Sequence, residues 1–303
     1  MSARTDTVGF IGMGRMGLPM ALNLVKKGFP VVGYDIDPAR IGMLVSEGGE
    51  RADGPASVAQ RASKIVIMVE TTEQARTVIM GQGGIVEGAE AGDIVIASPT
   101  IDPLAVKAMH AELAQKGIGM IDAPVSGGVG RATSGDLTIA VGGDEAAIAV
   151  CRPILEAVSS RIFQMGEIGQ GIAMKLVNNM LNQINKVASA EAMAFGVKAG
   201  LDPEKMIEMI QVSSGQSASF EAMAPRYLSG DFLNASTLDI SFKDQELETA
   251  YAKALGVPMF MAAVSQQVYQ MGRASGLSKQ DASSLITIYE KLAGVQLGPR
   301  EES

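Results

Sequence analysis

Residues 8–17 read Val8-Gly9-Phe10-Ile11-Gly12-Met13-Gly14-Arg15-Met16-Gly17, an apolar run that leads directly into Gly-x-Gly-x-x-Gly. A helical pattern follows, and a second apolar run, residues 31–34, ends at Asp35. Three glycines at this spacing permit a tight turn, the approach of a pyrophosphate to the backbone, and close packing of a helix on a strand. Glycine-rich surface turns also exist, but the strand before the motif, the helix after it and the acid about 20 residues on form the context that confirms a dinucleotide fingerprint.

The acid that ends the second apolar run determines which dinucleotide we expect. Asp35 should accept hydrogen bonds from a ribose 2′-OH and repel a 2′-phosphate, which favours NAD. Arg40 is near enough in sequence to keep NADP open as the alternative. The expected cofactor contacts of this segment are Gly12, Met13, Gly14, Arg15, Met16 and Asp35.

The composition of the 303 residues excludes several classes of function. A net charge of −8 argues against a nucleic-acid surface. The lack of a run of about 18 apolar residues argues against a membrane span, and the absence of an apolar signal core near residue 1 leads us to expect a cytoplasmic protein. With one cysteine, Cys151, and one histidine, His110, on an expected exposed helix face, we expect no metal site and a general acid–base group other than histidine.

The first half of the chain alternates short apolar runs with helical patterns. Such runs fit strands buried on both faces of a parallel sheet. The predicted strands are Val8–Ile11, Val31–Tyr34, Ile65–Val69, Ile94–Ala97, Met120–Ile121, Leu137–Val141 and Arg161–Gln164, with helices at 19–27, 38–47, 72–80, 103–116 and 145–158. This order predicts an α/β Rossmann domain, a doubly wound and mostly parallel sheet.

After about Gly166 the pattern becomes almost wholly helical. Residues 172–198 contain no proline, few charges, and apolar residues at helical spacing, so we expect a long central helix that is buried on most sides. The sequence therefore predicts a dinucleotide-binding domain over residues 1–165 and an all-helical domain over residues 166–303, joined by that helix.

Two further segments offer chemistry. Ser126-Gly127-Gly128 follows a predicted strand, and ligands of open α/β sheets bind beyond the carboxyl ends of strands. The loop can present a hydroxyl and backbone N–H groups to a carboxylate, although these are also ordinary turn residues.

Lys175 and Asn179 are four residues apart, so they project from one helix face. Desolvation lowers the pKa of a lysine, which suits it to proton transfer near neutral pH. Asn179 could orient that amine or contact substrate, with Asn182 close to the same face. A lysine that extends from the helix start to solvent is the alternative.

Four segments together resemble the β-hydroxyacid dehydrogenases, the group of 3-hydroxyisobutyrate dehydrogenase and tartronate semialdehyde reductase. They are Gly9–Asn23, Asp122–Gly128, Gly169–Asn179 and Phe242-Lys243-Asp244, in the right order and at the right separations, so the resemblance covers nearly the whole chain. It implies reversible oxidation of a small 3-hydroxy acid, in which the β-carbon gives hydride to nicotinamide and the hydroxyl gives up its proton.

The resemblance also implies a role for each matching residue. Lys175 resembles the general acid–base and Asn179 its companion. The remaining matches are the substrate-carboxylate residues Ser126, Gly127 and Gly128, the cofactor contacts Val69, Glu70 and Thr100, and Lys243, which reaches both substrate and cofactor from the helical domain. That domain is then expected to bind substrate and to pair subunits into a homodimer or homotetramer.

The chain departs from the family at two places that border the site. Val69-Glu70 stands where relatives usually have Leu-Pro or a similar apolar pair, and Ser98-Pro99-Thr100 replaces Ser-Ser-Thr. Two alternatives stay open: a reductase of a tartronate semialdehyde-like substrate that uses NADPH, and a catalytically silent dinucleotide-binding protein. Retention of Lys175 argues against an imine reductase, the length argues against a phosphogluconate dehydrogenase, and the substituent on the hydroxy acid is not fixed.

Overall fold

The computed structural model describes residues 4–233 and 236–298. It divides into two compact units, Met1–Lys175 and Leu176–Ser303. The division falls inside the long helix α9 (Gln170–Lys198), whose first turn is held by hydrogen bonds to residues of the first unit. The domain boundary that we predict at 165/166 stays a proposal.

One sheet carries the first unit. Its strands within the described residues are β1 Val8–Ile11, β2 Val31–Tyr34, β3 Glu50–Arg51, β4 Lys64–Ile67, β5 Ile94–Ala97, β6 Gly119–Asp122, β7 Val125–Ser126, β8 Leu137–Gly142 and β9 Ser159–Gly166. Their spatial order is β3-β2-β1-β4-β5-β6-β8-β7, with β9 paired to β8. Strands from β3 to β6 pair in parallel, whereas β8 is antiparallel to β6 and β7. The predicted doubly wound, mostly parallel sheet is confirmed.

The helices of this unit connect the strands, and side chains at their first residues explain where several of them begin. They are α1 Gly17–Lys26, α2 Pro38–Ser46, α3 Pro55–Arg61, α4 Thr72–Met80, α5 Ile85–Gly88, α6 Pro103–Ala114, α7 Gly128–Ser134 and α8 Glu145–Val158. Asp37 and Asp102 cap helices whose first residue is proline, and Thr71 forms a capping box with Gln74. The core includes Phe10, Leu24, Ile96, Ile121 and Leu155.

The second unit is helical, as we predict. Besides α9 it contains α10 Pro203–Gln211, α11 Ala218–Ser229, α12 Leu238–Ala254, α13 Phe260–Ala274, a 3₁₀ turn Ala282–Leu285 and α14 Ile286–Ala293. One group of its buried side chains includes Met193, Phe220 and Tyr227, and another includes Leu238 and Tyr269.

Two expectations about exposure are wrong. Helix α9 is not buried on most sides of the single chain, because Val177, Leu181 and Phe195 are exposed. The apolar sequence of a helix does not show whether its apolar face packs within the same chain or against another chain. His110 is half-buried rather than on an exposed face. Within residues 4–233 and 236–298, no helix has both the length and the apolar character needed to cross a membrane, and the cytoplasmic location stays a prediction.

Candidate active site

The turn between β1 and α1 requires glycine at two positions. Gly12 has φ of +89°, and a Cβ there would lie 2.5 Å from the Met68 carbonyl oxygen. A Cβ on Gly17 would lie 2.0 Å from the Gly12 carbonyl oxygen, so the helix packs against the turn as the fingerprint requires. A Cβ on Gly14 would meet nothing within 4 Å. The turn therefore has no room for a side chain at Gly12 or Gly17, whereas the space beside Gly14 is open.

The Asp35 carboxylate lies against this turn. Its Oδ2 accepts a hydrogen bond from the Met13 N–H, and its Oδ1 accepts one from the Asp37 N–H at 2.8 Å. The acid and the glycine turn are thus side by side, as binding of a ribose and a pyrophosphate to one motif requires. Arg40 instead lies 3.8 Å from a carboxylate oxygen of Asp37.

These residues fit a dinucleotide. The space in front of Gly14 is open, α1 has no acidic residue in its first turn, and a helix N-terminus favours phosphate. The residues that would hold the cofactor are the glycine turn, for the pyrophosphate, and Asp35, for the ribose.

The other expected cofactor contacts lie at the ends of neighbouring strands. A Cβ on Gly12 would be 3.3 Å from Val69 Cγ1, so Val69 borders the glycine turn. Glu70 is exposed, and its backbone N–H donates to Gln74 Oε1 at 2.8 Å. Thr100, after β5, is half-buried, as is Met16, whereas Arg15 is exposed and Met13 is buried.

The structure brings Ser126 and Lys175 together. Ser126 ends β7, and Gly127 and Gly128 continue from it in the left-handed region of φ into α7. Lys175 Nζ donates a hydrogen bond to Ser126 Oγ over 3.0 Å. Both side chains are half-buried, and Gly127 and Gly128 are exposed. A cation, a hydroxyl and exposed backbone N–H groups thus share one region.

Asp122, to which the sequence analysis gives no role, connects this region to the start of α9. Its buried carboxylate accepts the backbone N–H groups of Gly169, at 2.7 Å, and Ile172, at 2.6 Å. Burial raises the pKa of Asp122 to about 6, and the backbone hydrogen bonds oppose that rise. Because Asp122 ends β6, four residues before Ser126, it fixes the first turn of α9 beside the serine loop.

Asn179 has its partners within the second unit. Its Nδ2 donates to Asp244 Oδ2 at 2.8 Å, and Lys243 Nζ lies 3.0 Å from Asp244 Oδ1. One buried carboxylate therefore contacts two residues that the sequence analysis singles out. Asp244 belongs to the quoted segment 242–244, but nothing in its local sequence shows that it is buried. Asn182, by contrast, accepts a hydrogen bond from Ser219 over 2.7 Å.

Comparisons with known proteins agree across the chain. Residues 7–166 match the family described as the NAD binding domain of 6-phosphogluconate dehydrogenase, and residues 169–289 match the family described as NAD-binding of NADP-dependent 3-hydroxyisobutyrate dehydrogenase.

Several relatives match over nearly their full length. The 2-(hydroxymethyl)glutarate dehydrogenase of Eubacterium barkeri is 37% identical over 96% of this chain and 97% of that protein. The mitochondrial 3-hydroxyisobutyrate dehydrogenase of Mus musculus is 36% identical over 94% of this chain and 87% of its own. The L-threonate dehydrogenase of Cupriavidus necator is 32% identical over 97% and 99%.

A solved structure supports the same assignment. The 3-hydroxyisobutyrate dehydrogenase of Mycobacterium tuberculosis with L-serine is similar with a TM-score of 0.87 and 27% identity, over 94% of this chain and 99% of that one. Two family matches, three full-length relatives and the dinucleotide turn lead to one conclusion. The chain belongs to the β-hydroxyacid dehydrogenases, the family of NAD(P)-dependent 3-hydroxyacid dehydrogenases.

Proposed function

We propose that this chain oxidises 2-substituted 3-hydroxypropanoates, HO–CH2–CHR–COO⁻, with NAD, and that Lys175 is its general acid–base. One observation carries the proposal: the 3.0 Å hydrogen bond from Lys175 Nζ to the hydroxyl of Ser126. The Ser126 hydroxyl lies between the Lys175 amine and the exposed backbone of Gly127 and Gly128. The amine could therefore contact the β-hydroxyl of a small substrate whose carboxylate binds the serine hydroxyl and this backbone.

The substrate class follows from what the similar proteins share. The names of two relatives give 2-(hydroxymethyl)glutarate and 3-hydroxyisobutyrate, and a similar structure contains L-serine. All three compounds carry a primary hydroxyl on the carbon next to the one that bears the carboxylate. They differ only in R, which is carboxyethyl, methyl or amino. L-threonate, named for a further relative, has a secondary hydroxyl at that carbon and is the main competitor.

In the proposed mechanism, the Ser126 hydroxyl and the backbone N–H groups of Gly127 and Gly128 hold the substrate carboxylate. Lys175 Nζ accepts the proton of the β-hydroxyl while the C–H bond of the carbon that bears this hydroxyl breaks. Asn179, one turn further along α9, holds the reacting oxygen through a hydrogen bond, and Asp244 keeps the Asn179 amide in one orientation. Bound NAD supplies the acceptor for the hydride. The products are the semialdehyde, NADH and one proton.

Lys175 serves the two directions in opposite protonation states. Oxidation requires a neutral amine that can accept a proton, and reduction requires an ammonium that can give one.

NAD is the proposed cofactor because Asp35 presents a carboxylate beside the glycine turn. A ribose 2′-OH can donate to this carboxylate, whereas a 2′-phosphate would meet like charge. Arg40, which the NADP alternative needs, is already beside Asp37.

We also propose that the chain forms a homodimer or homotetramer. Apolar side chains are exposed on α9 and α13 of the single chain, among them Leu181, Phe195, Phe260 and Val264. Several large apolar side chains exposed on two helices are typical of a surface that binds another chain. Light scattering that gives the mass of one chain at micromolar concentration would contradict this proposal.

The substrate assignment is tested by NADH formation with a panel of hydroxy acids. The panel contains 3-hydroxyisobutyrate, 2-(hydroxymethyl)glutarate, L-serine and L-threonate. The methyl ester of 3-hydroxyisobutyrate is the matched control, because it keeps the alcohol and lacks the carboxylate. We expect a 2-substituted 3-hydroxypropanoate to give the highest kcat/KM, and the ester to lose about tenfold to a hundredfold, the value of hydrogen bonds to a charged group.

Two results would contradict this assignment. A higher kcat/KM for L-threonate than for the 2-substituted 3-hydroxypropanoates would show that the proposed substrate class is wrong. Equal kcat/KM values for the acid and its ester would show that the enzyme does not recognise the carboxylate. Binding of NAD with no turnover of any compound would favour the catalytically silent alternative.

A further inference from the structure

A cluster of polar side chains is buried inside the helical unit, next to the Asn179–Asp244 pair. Gln183 of α9, Asp244, Gln245 and Glu248 of α12, and Ser265 and Tyr269 of α13 are each less than one-tenth exposed. Contacts join them: Gln245 Nε2 donates to Ser265 Oγ over 3.2 Å, and the Gln183 amide and Tyr269 lie near the Glu248 carboxyl. Apart from Asp244, which holds Asn179, none of these side chains has a part in the proposed reaction.

The Glu248 carboxyl is buried in this cluster, and neither of its oxygens has a hydrogen-bond partner within the part of the chain that the structure describes. Among the described residues, Gln183 Oε1, Gln245 Oε1 and both carboxyl oxygens of Glu248 are buried without a hydrogen-bond partner. One N–H of the Gln183 amide donates to the Ser241 carbonyl over 3.1 Å. An ionised Glu248 would place a charge on two buried oxygens that have no hydrogen-bond partner in residues 4–233 and 236–298, at an uncompensated desolvation cost. One proton on Glu248 removes that charge.

The surrounding charges act in the same direction. Burial, and then the charge of Asp244 one helical turn away, raise the pKa of Glu248 to about 9. Asp244 faces it from α12, and Lys243 Nζ lies 3.0 Å from Asp244 Oδ1. Tyr269 faces it from α13 and is neutral, because burial raises the pKa of that phenol. Helix α9 contributes the uncharged Gln183, and its next charged residue, Lys186, interacts with Asp281.

We propose that Glu248 is a neutral carboxylic acid, and that its neutrality allows Asp244 to position Asn179. Two carboxylates one turn apart in a buried site repel each other when both are charged. If Glu248 lost its proton, its charge would repel the Asp244 carboxylate and disturb the charge-assisted hydrogen bond that Asn179 Nδ2 donates to Asp244. Glu248 is therefore a positioning residue. The inference rests on the proposed function, which assigns Asn179 to the reaction.

The test uses Glu248→Gln, which keeps the shape and neutrality of the protonated acid, in the full chain. Glu246→Gln is the matched control, because Glu246 is an exposed acid on the same helix. Infrared difference spectra at pH 7.5, each of wild type minus variant, read the proton directly. We expect a protonated-carboxyl band for Glu248→Gln and none for Glu246→Gln, and the band should vanish above about pH 9.

Thermal unfolding is the second readout and needs no turnover. The pKa of Glu248 is higher in the folded than in the unfolded chain, so its contribution to stability is complete at low pH and is lost as pH rises towards 9. The Tm of Glu248→Gln relative to wild type should therefore rise between pH 6 and 9. A Tm difference that does not change with pH, together with no infrared band, would show that Glu248 is ionised and overturn the proposal.

The third readout is kcat/KM against pH, with the best substrate of the panel. We expect Glu248→Gln to stay within about twofold of wild type at pH 7.5, and only wild type to lose about tenfold per pH unit above its acid's pKa. Parallel profiles above pH 9, with the infrared band present, would leave a protonated Glu248 with no effect on Asn179 and overturn the positioning role. If wild type turned over no substrate, the proposed function would fail, while the infrared and Tm results would still decide the proton.

Discussion

At the residue scale, Asp35 connects a sequence motif to a choice of cofactor. Its carboxylate accepts the Met13 N–H from inside the glycine turn. The acid is therefore fixed beside the position that a ribose would occupy, and its charge acts on whatever substituent the ribose carries.

Replacing Asp35 by Ala should lower the preference for NAD over NADP. Loss of a hydrogen bond to a charged group costs about 1.5–3 kcal/mol, so kcat/KM with NAD should fall about tenfold to a hundredfold. Removal of the like charge should leave kcat/KM with NADP equal or higher. Steady-state kinetics with both cofactors measure the ratio, and Glu47→Ala, at an exposed acid just after α2, is the control. An unchanged ratio in Asp35→Ala would show that Asp35 does not select the cofactor.

Residues differ in how far the sequence determines their role. Gly12, Gly17 and Asp35 belong to one local turn, so their spacing is sufficient to predict its geometry, and their contacts with a cofactor stay a prediction. Asp122 and Asp244 act through partners 47 and 65 residues away, and Glu248 through burial among three helices. No local pattern marks such a carboxyl as buried. For the same reason, the roles of Lys175 and Asn179 depended on a resemblance as well as on their spacing.

At the element scale, α9 is the helix on which the proposed chemistry depends. It carries Lys175 and Asn179, and its first turn is held by Asp122. A carboxylate that accepts two N–H groups at a helix N-terminus satisfies backbone donors that lack a partner within the helix, and its charge interacts favourably with the helix dipole. Lys175 follows directly after that turn.

Replacing Asp122 by Asn should lower the free energy of unfolding by about 1–3 kcal/mol, because an amide leaves one buried N–H without an acceptor. The folded-state pKa of Asp122, about 6, is above its unfolded value, so its ionised form is less favourable in the folded chain. The stability difference between wild type and variant should therefore narrow as pH rises through the range from about 4 to 6.

Urea denaturation at pH 4.5 and 7.5 measures this difference. Asp144→Asn is the matched control, because Asp144 is an exposed acid that caps α8. A difference that widens with pH would contradict the buried, high-pKa state of Asp122.

Elements that carry a continuous apolar run or a clear capping residue were easier to predict than the others. The bounds of β1, β2, β5, α4 and α8 agree with the predictions because such runs and caps mark them. The elements α3, β3, α5, β7 and α7 were missed, since they contain no continuous apolar run and two to seven residues are too few for a helical period. One of them, β7, carries Ser126, so the exact position of the serine was outside the prediction.

At the scale of the whole molecule, the two halves of the chain differ in how much of their role the sequence reveals. A doubly wound sheet provides the dinucleotide turn, and the alternation of strands and helices in the sequence is sufficient to identify that sheet. The helical unit contributes Asn179, Asp244 and the cluster around Glu248, which only packing reveals. The exposed apolar residues of α9 and α13 carry the proposal that copies of the chain associate.

The turnover of Lys175→Ala shows whether Lys175 is the general acid–base of the reaction. The measurement is kcat for NADH formation with the best substrate of the panel, alongside the Kd for NAD. Lys198→Ala, at an exposed lysine on the same helix, is the control. We expect Lys175→Ala to lose about 10²–10⁴-fold in kcat while its Kd for NAD stays within about twofold, because a general acid–base contributes to the chemical step. A Lys175→Ala variant with near wild-type kcat would contradict this role.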